Sequence, residues 1–332
     1  MVKNLVKELE EHMVEMFKND LNEEITENIN FEDSISAILV NKEVKCPRCF
    51  SKDISKNGKT KALRQRYICK DCGKSFSEMT GTPVSYSKKE LKQWARYTHY
   101  MSEGMTLREI SKILKISLVT SFQWRHKILS SVEHRIKDGE FSKIVQIDEL
   151  RMKENFKGNH SKNKNFKVLS DSYIVDNEIF RRSFISILNC RDLLDNKYLK
   201  AVSKGYISRE VLDKHLGSKM RKVKVIGVCR NLLYVNFAKK NNLKICMDGS
   251  SKYNVKDVDI GLVRRQGILF KQFIRNFRGV ATKYVSFYIN WFRIIIDKYD
   301  ICKVLIDSCI RGNRKLINMG FKSVDFNGVN YI

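Results

Sequence analysis

The sequence predicts a multidomain protein: an N-terminal amphipathic helix, a small β-structured module gathered around cysteines, a region of short helices, and a C-terminal α/β domain. Three observations carry that division. Paired cysteines fall only within residues 46–72, helix-start signals follow between residues 87 and 109, and from about Ile144 short β-rich runs alternate with helical patterns. At 332 residues the chain is long enough for two or three domains and at least one substantial core.

Residues 1–43 form the first segment. Val2, Leu5, Val6, Leu9, Met13, Met16, Phe17 and Leu21 recur at three- and four-residue spacing, the mark of one apolar face on a helix. The face suits packing on the body of the protein or pairing with a second copy in a homodimer. Its stripe is wider than a two-position coiled-coil seam.

Charge is sorted by segment. Residues 1–40 hold three Lys against ten Asp plus Glu, a net of −7, so the remainder carries +33 of a total of +26. Codon bias toward Lys and Asn would not sort charge this way. A surplus of this size opposes compactness unless a polyanion relieves it, and nucleic acid is the partner it suits. Nine cysteines are an odd number for a secreted framework. The start Met1-Val2-Lys3-Asn4 leads into a charged helix with no apolar signal core, and no stretch approaches the roughly eighteen apolar residues of a membrane span. The expectation is a cytoplasmic, nucleoid-associated protein without membrane partners.

Residues 44–79 contain Cys46-Pro47-Arg48-Cys49 and Cys69-Lys70-Asp71-Cys72, separated by nineteen residues. Two residues between paired cysteines let both sulfurs turn toward one ion, and two such knuckles at this spacing make a tetrahedral Zn²⁺ site, a zinc ribbon. Four thiolates leave no open coordination position, so the metal is structural. A redox-active pair would need a surrounding βαβ pattern, which is absent. Lys56, Lys59, Lys61, Arg64, Arg66 and Tyr67 lie between the pairs on an expected hairpin that can sit on phosphates.

Thr80-Gly81-Thr82-Pro83 breaks the chain before residues 86–135. Ser87-Lys88-Lys89-Glu90 and Thr106-Leu107-Arg108-Glu109 both read as capping boxes opening helices. Thr106–Leu114, a turn at Lys115-Ile116-Ser117, and Leu118–Leu129 make a helix-turn-helix. Ser121, Trp124 and Ile128 should face inward. Val119, Thr120, Gln123 and Lys127, with Arg125 in the basic run Arg125-His126-Lys127, are then the candidates for DNA contact.

The α/β domain spans residues 143–298, with strands expected at Ile144–Ile147, Phe184–Leu188 and Val223–Val228 and helices at Ser208–Leu216 and Leu232–Asn241. Lys157–Lys167 reads as an exposed basic loop, and Asp192 and Asp195 as a hairpin turn. Residues 299–332 carry no assignable role.

Taken together, Cys46–Cys49, Arg66–Phe76, Thr80–Pro83, Trp124–Leu129, Phe156–His160 and Phe277–Tyr284 resemble bacterial insertion-sequence transposases. That group carries an N-terminal zinc ribbon, a helix-turn-helix and a DDE-type catalytic domain of RNase H-like fold, and the likeness covers roughly residues 44–296. It implies double-stranded DNA with terminal inverted repeats as substrate. It also implies carboxylates holding two divalent ions, with Mg²⁺ the expected metal. Asp148, in Gln146-Ile147-Asp148-Glu149, matches the family's first aspartate. Counting back from Tyr234 and Phe237-Ala238-Lys239-Lys240 puts Cys229 at the second. Counting back from Gly279-Val280-Ala281 puts Arg264 at the third metal position and Gly267 where a neighbouring His is expected, and Lys271 matches a basic residue of the same helix.

Three functional readings result. The first is a transposase homologue that binds DNA with impaired or lost strand transfer. The second is an active transposase in which another carboxylate, such as Asp248, completes the site. The third is a transposase-derived transcriptional regulator.

Overall fold

The computed structural model describes residues 44–60, 64–136, 138–156, 167–175, 177–229, 231–247, 260–297, 299 and 301–311. The expected N-terminal helix, Lys61, Asp248 and most of the Lys157–Lys167 loop lie outside the described residues. The described residues fall into two compact units, one of 44–135 with 294–311 and one of 136–293.

In chain order the elements are β1 (Ile54–Lys59), β2 (Gln65–Cys69), β3 (Ser75–Ser77), α1 (Leu91–Ser102), α2 (Leu107–Ile113), α3 (Leu118–Ser130), β4 (Ile144–Lys153), β5 (Lys167–Val168), β6 (Ser172–Val175), β7 (Glu178–Arg181), β8 (Phe184–Asp192) and β9 (Lys197–Lys204). They continue with α4 (Arg209–Leu216), β10 (Val225–Val228), α5 (Leu232–Lys240), β11 (Lys244–Met247), α6 (Gly261–Arg275), α7 (Val285–Ile296) and α8 (Ile301–Arg311).

In the first unit β1, β2 and β3 form an antiparallel sheet, with Ile54 opposite Cys69 and Tyr67 opposite Phe76. Its core is only Cys46, Cys69 and Phe76, edged by Val44, Ile54, Tyr67 and Cys72. So little apolar area cannot hold three short strands against chain entropy without a further restraint.

The helices that follow are set by their caps. The Thr106 hydroxyl accepts from the Glu109 backbone N–H at 3.3 Å while the Thr106 N–H donates to the Glu109 carboxylate at 2.7 Å, the reciprocal box the sequence predicts. Ser117 caps α3 by accepting from the Thr120 N–H at 3.0 Å, and Lys115 takes the left-handed conformation, φ 50°, that turns the chain between the two helices. The expected box at Ser87 does not form. Helix α1 begins at Leu91 with Glu90 as N-cap and no side-chain cap bond. The Ser87 hydroxyl is taken instead by the Lys89 N–H at 3.1 Å, before the helix starts, and by the Trp94 indole N–H at 2.9 Å, from the first turn of α1. Trp94 stacks on Trp124 at 3.8 Å between centroids, joining α1 to α3. Helix α8 packs against α1 and α3, where the Ser131 hydroxyl donates to the Ser308 carbonyl at 2.9 Å and Arg135 pairs with Asp307.

The second unit is built on a mixed sheet of order β11-β10-β4-β8-β9. Strands β4, β8 and β9 run antiparallel, while β10 is parallel to β4 and β11 to β10. Alternation along each strand sends Val145, Ile147, Leu188 and Cys190 to one face, where they pack with Leu212, Leu216, Tyr234 and Phe237 of α4 and α5. Gln146 and Asn189 point to the opposite face and meet α6. There the Val263 N–H donates to Gln146 Oε1 at 3.0 Å, Asn189 Nδ2 donates to the Val263 carbonyl at 2.8 Å, and Gln266 Nε2 donates to Asn189 Oδ1 at 2.8 Å. These buried bonds fix the rotation of α6 about its axis. Gly267 lets it approach closely, because a Cβ there would lie 2.7 Å from Leu150 Cδ2. Beyond α6, the Thr282 side chain and N–H exchange bonds with the Asn155 backbone at 2.8 and 2.9 Å, joining the Phe277–Tyr284 segment to the residue just before Phe156. Asp192 receives N–H bonds from Leu194, Asn196 and Ser142, which is the expected hairpin turn with an added anchor. Strands β5, β6 and β7 form a separate small sheet inserted between β4 and β8.

Candidate functional site

The four ribbon cysteines converge. Cys46 and Cys72 sulfurs are 3.5 Å apart, Cys49 and Cys69 sulfurs also 3.5 Å, and all four lie within 4.8 Å of one another. A tetrahedral ion with bonds near 2.3 Å needs ligand separations of about 3.8 Å, so small adjustments seat it. The two halves are built alike. Cys46 accepts at its carbonyl from the Phe50 N–H and donates its own N–H to Ser51, and Cys69 does the same with Gly73 and Lys74. The fifth residue of each knuckle is left-handed, Phe50 at φ 62° and Gly73 at φ 64°, a conformation glycine adopts freely and phenylalanine does not. Burial disfavours the Cys46 thiolate, but the N–H groups of Cys49 and Arg48 aimed at its sulfur outweigh that and bring the thiol down to about 7. These residues fit a structural zinc ion with every coordination position filled by sulfur.

On α3, Val119 is 65% exposed and Gln123 is exposed, while Thr120 and Lys127 are half-buried. Arg125 is not with them. Expected among the DNA-contacting residues, it is 2% exposed, and its guanidinium donates to the Met105 carbonyl at 2.6 Å, tying α3 to the loop before α2. The basic run is split because consecutive helical residues point about 100° apart. Replacing Arg125 with alanine should therefore lower stability by about 2 kcal/mol, the usual loss for a charge-assisted buried bond. Thermal unfolding would read it, and unchanged melting with weakened DNA binding would return Arg125 to the surface role. Arg66 is exposed on β2, and Arg64 is half-buried just before it.

A second constellation lies where β10 ends beside the middle of β4. Val228 of β10 is in register with Ile147 of β4, so Cys229 and Asp148 are the next residues on neighbouring strands. Val228 is also in register with Met247 of β11, the strand on the other side of β10 from β4. Gly267 of α6 sits against Leu150 and Asn189, and Asn189 pairs with Asp148, so Arg264 and Lys271 flank Asp148 from one turn before and one turn after. Burial pushes the Asp148 carboxyl up from its usual range, while Arg264 and Lys271 pull it back. Burial raises the Cys229 thiol too, reinforced by the charge of Asp148. The structure thus brings Asp148, Cys229, Arg264 and Lys271 into one electrostatic neighbourhood. Among the described residues, the ribbon cysteines are the one group of three or more His, Cys, Asp or Glu able to hold a metal ion.

Comparison with known proteins bears on the first constellation. Residues 40–73 match the family described as the InsA N-terminal domain, a zinc ribbon. The chain carries an InsA-type zinc ribbon. An uncharacterized protein in transposable element ISH50 of Halobacterium salinarum is 29% identical over 117 residues, which are 35% of this chain and 38% of that protein. The chain therefore aligns with well under half the length of this curated relative. Among solved structures, the Drosophila P element transposase strand transfer complex aligns with 70% of this chain and 60% of its own at 10% identity and a TM-score of 0.28, too loose a superposition to establish a shared fold. No helix among the described residues is long and apolar enough to cross a membrane.

Sequence reasoning missed how α8 closes on the helices that follow the InsA-type ribbon. The signal was present as Leu305, Ile306 and Cys309, which are buried and recur at helical spacing.

Proposed function

We propose that the protein is a DNA-binding insertion-sequence transposase homologue whose catalytic domain has kept its sheet and lost a two-metal centre. The InsA-type ribbon and the transposable-element relative support the family reading. The sheet order, with three antiparallel strands followed by two parallel ones and Asp148 on the middle strand, supports an RNase H-like domain. The pair α2 and α3, with Val119, Thr120, Gln123 and Lys127 on its outer side, supports a helix-turn-helix that reads double-stranded DNA.

The observation that carries the loss of chemistry is the register that sets Cys229 beside Asp148, with the charge of Arg264 acting on both. Mg²⁺ binds hard oxygen ligands, and here its expected cradle offers one carboxylate, a thiol and a guanidinium. A second positive charge at a few ångströms repels the ion even after solvent screening. These residues do not fit Mg²⁺, and no catalytic step is derived through it. Lys271 and Arg264 remain suited to holding DNA phosphates near Asp148.

A strand-transfer assay with the purified full chain, element-end duplexes and Mg²⁺ or Mn²⁺ tests this. No joined product is expected, while binding of the same duplexes weakens steeply with salt, by about 0.9 log units per log unit of salt for each phosphate neutralised. Robust joining that Asp148→Ala abolishes would overturn the loss of chemistry and favour a working site completed by a carboxylate such as Asp248. Genome-wide footprints confined to chromosomal promoters would favour a transcriptional regulator.

A further inference from the structure

The first unit contains a cleft of about 710 Å³ between the ribbon hairpin and the turns that lead into α1. Arg64 and Arg66 line it from the hairpin, Tyr86, Lys88, Lys89 and Glu90 from the segment before α1, and serine, threonine and apolar residues complete the lining. Four cations against one carboxylate give the cleft a local charge of +3. Arg66, Lys88 and Lys89 are exposed, so their charges face whatever enters.

Tyr86 adds an independent observation. Its φ is 59°, a conformation that costs a bulky residue about 1–3 kcal/mol. Strain of that kind persists where something compensates for it. Burial of the ring does not, because Tyr86 is 81% exposed. The segment is held in this shape from both ends. The Ser85 and Ser87 N–H groups close turns on the Thr82 and Val84 carbonyls at 3.0 and 3.1 Å, and the Ser87 hydroxyl is fixed by the Trp94 indole. The result is a largely exposed aromatic ring among the residues that line a cationic cleft. Such a ring can lie against deoxyribose while the cations meet the flanking phosphates.

We propose that this cleft is a phosphate-backbone track for duplex DNA, with Lys88 and Lys89 as phosphate contacts and Tyr86 as a sugar-stacking contact that joins the ribbon's footprint to that of the helices. The inference rests on the DNA-binding reading above and adds to it residues that no sequence motif nominated. Phosphate contact makes the track indifferent to base sequence, so it strengthens binding to any duplex alike.

The test uses the full-length zinc-loaded protein and a fluorescein-labelled duplex of arbitrary sequence, titrated at several salt concentrations. Lys88→Glu/Lys89→Glu should weaken binding by about tenfold or more and reduce the salt slope by about two. A control with the same charge change on the other unit, Lys200→Glu/Lys214→Glu, should cost no more than about threefold, as expected for long-range screening alone. Tyr86→Gly should bind about fivefold more weakly while melting at the same temperature or higher, since glycine accepts the left-handed backbone. If the lysine pair behaves like its control, or if Tyr86→Gly binds like the parent protein, the track is wrong while DNA binding stands. If the parent protein does not bind the duplex at all, the DNA-binding reading falls with it.

Discussion

Chelating the metal, or replacing Cys69 with serine, is expected to unfold the ribbon and abolish duplex binding while the 136–293 unit stays folded. The ribbon's own core is three residues, of which Cys46 and Cys69 are themselves ligands at 1% and 0% exposure. Apolar burial on that scale is worth a few kcal/mol at about 25 cal/mol per Å². A structural zinc ion contributes on the order of 10–16 kcal/mol of apparent binding energy to a fold of this kind. The metal term therefore dominates, and serine, which is a poor zinc ligand, removes most of it. Elemental analysis should give one zinc per parent chain and none for Cys69→Ser. Proteolysis should cut the variant between residues 44 and 79 and spare the sheet. Cys309→Ser, at a buried cysteine of α8 outside the cluster, should retain the zinc. A Cys69→Ser protein with full zinc content and an intact ribbon would refute the assignment of these ligands.

What could be read from the sequence divides by the range of the interactions involved. Local chemistry was legible. The knuckles are short loops whose cysteine spacing fixes their geometry, and the Thr106 and Ser117 caps involve donors within three residues. The Ser87 box failed for the opposite reason: the bond that displaced it comes from Trp94, a full helical turn into α1. Arg125 failed similarly, since its partner carbonyl at Met105 lies twenty residues away, before α2. The strand-end cluster was legible in part. Matching motifs nominated Cys229 for the family's second aspartate position, and its place next to Asp148 comes from the strand register; nothing in the pattern of apolar residues predicts the polar lock of Gln146, Asn189 and Gln266 that joins α6 to the sheet. Buried side-chain networks depend on three elements meeting, and no single stretch of sequence encodes that.

Restoring oxygen ligands at the strand ends should create a divalent-ion response that the parent protein lacks. In Cys229→Asp/Arg264→Asn the soft thiol becomes a second carboxylate on the strand next to Asp148, and the repelling guanidinium is replaced by a neutral amide that can supply a carbonyl oxygen. Without metal the two carboxylates repel, and Asp148, already pushed up by burial, loses the guanidinium that draws it back. The metal-free double variant should therefore melt below the parent. A carboxyl held above its usual range favours the folded state at low pH and loses that advantage as pH rises through its folded pKa. The deficit of the double variant should accordingly widen from acid toward neutral pH. Mg²⁺ or Mn²⁺ reverses the balance: at a hundred times its dissociation constant an ion bound only by the folded state stabilises by about 2.7 kcal/mol. Cys229→Asp alone should respond far less, because Arg264 still neutralises the new carboxylate and excludes the ion. The parent should not respond, and Asp148→Ala in the double-variant background should erase the gain. If the parent is itself stabilised by Mg²⁺ and Asp148→Ala removes that effect, the native residues hold the ion as they stand, and Cys229 and Arg264 are no barrier to metal-dependent chemistry.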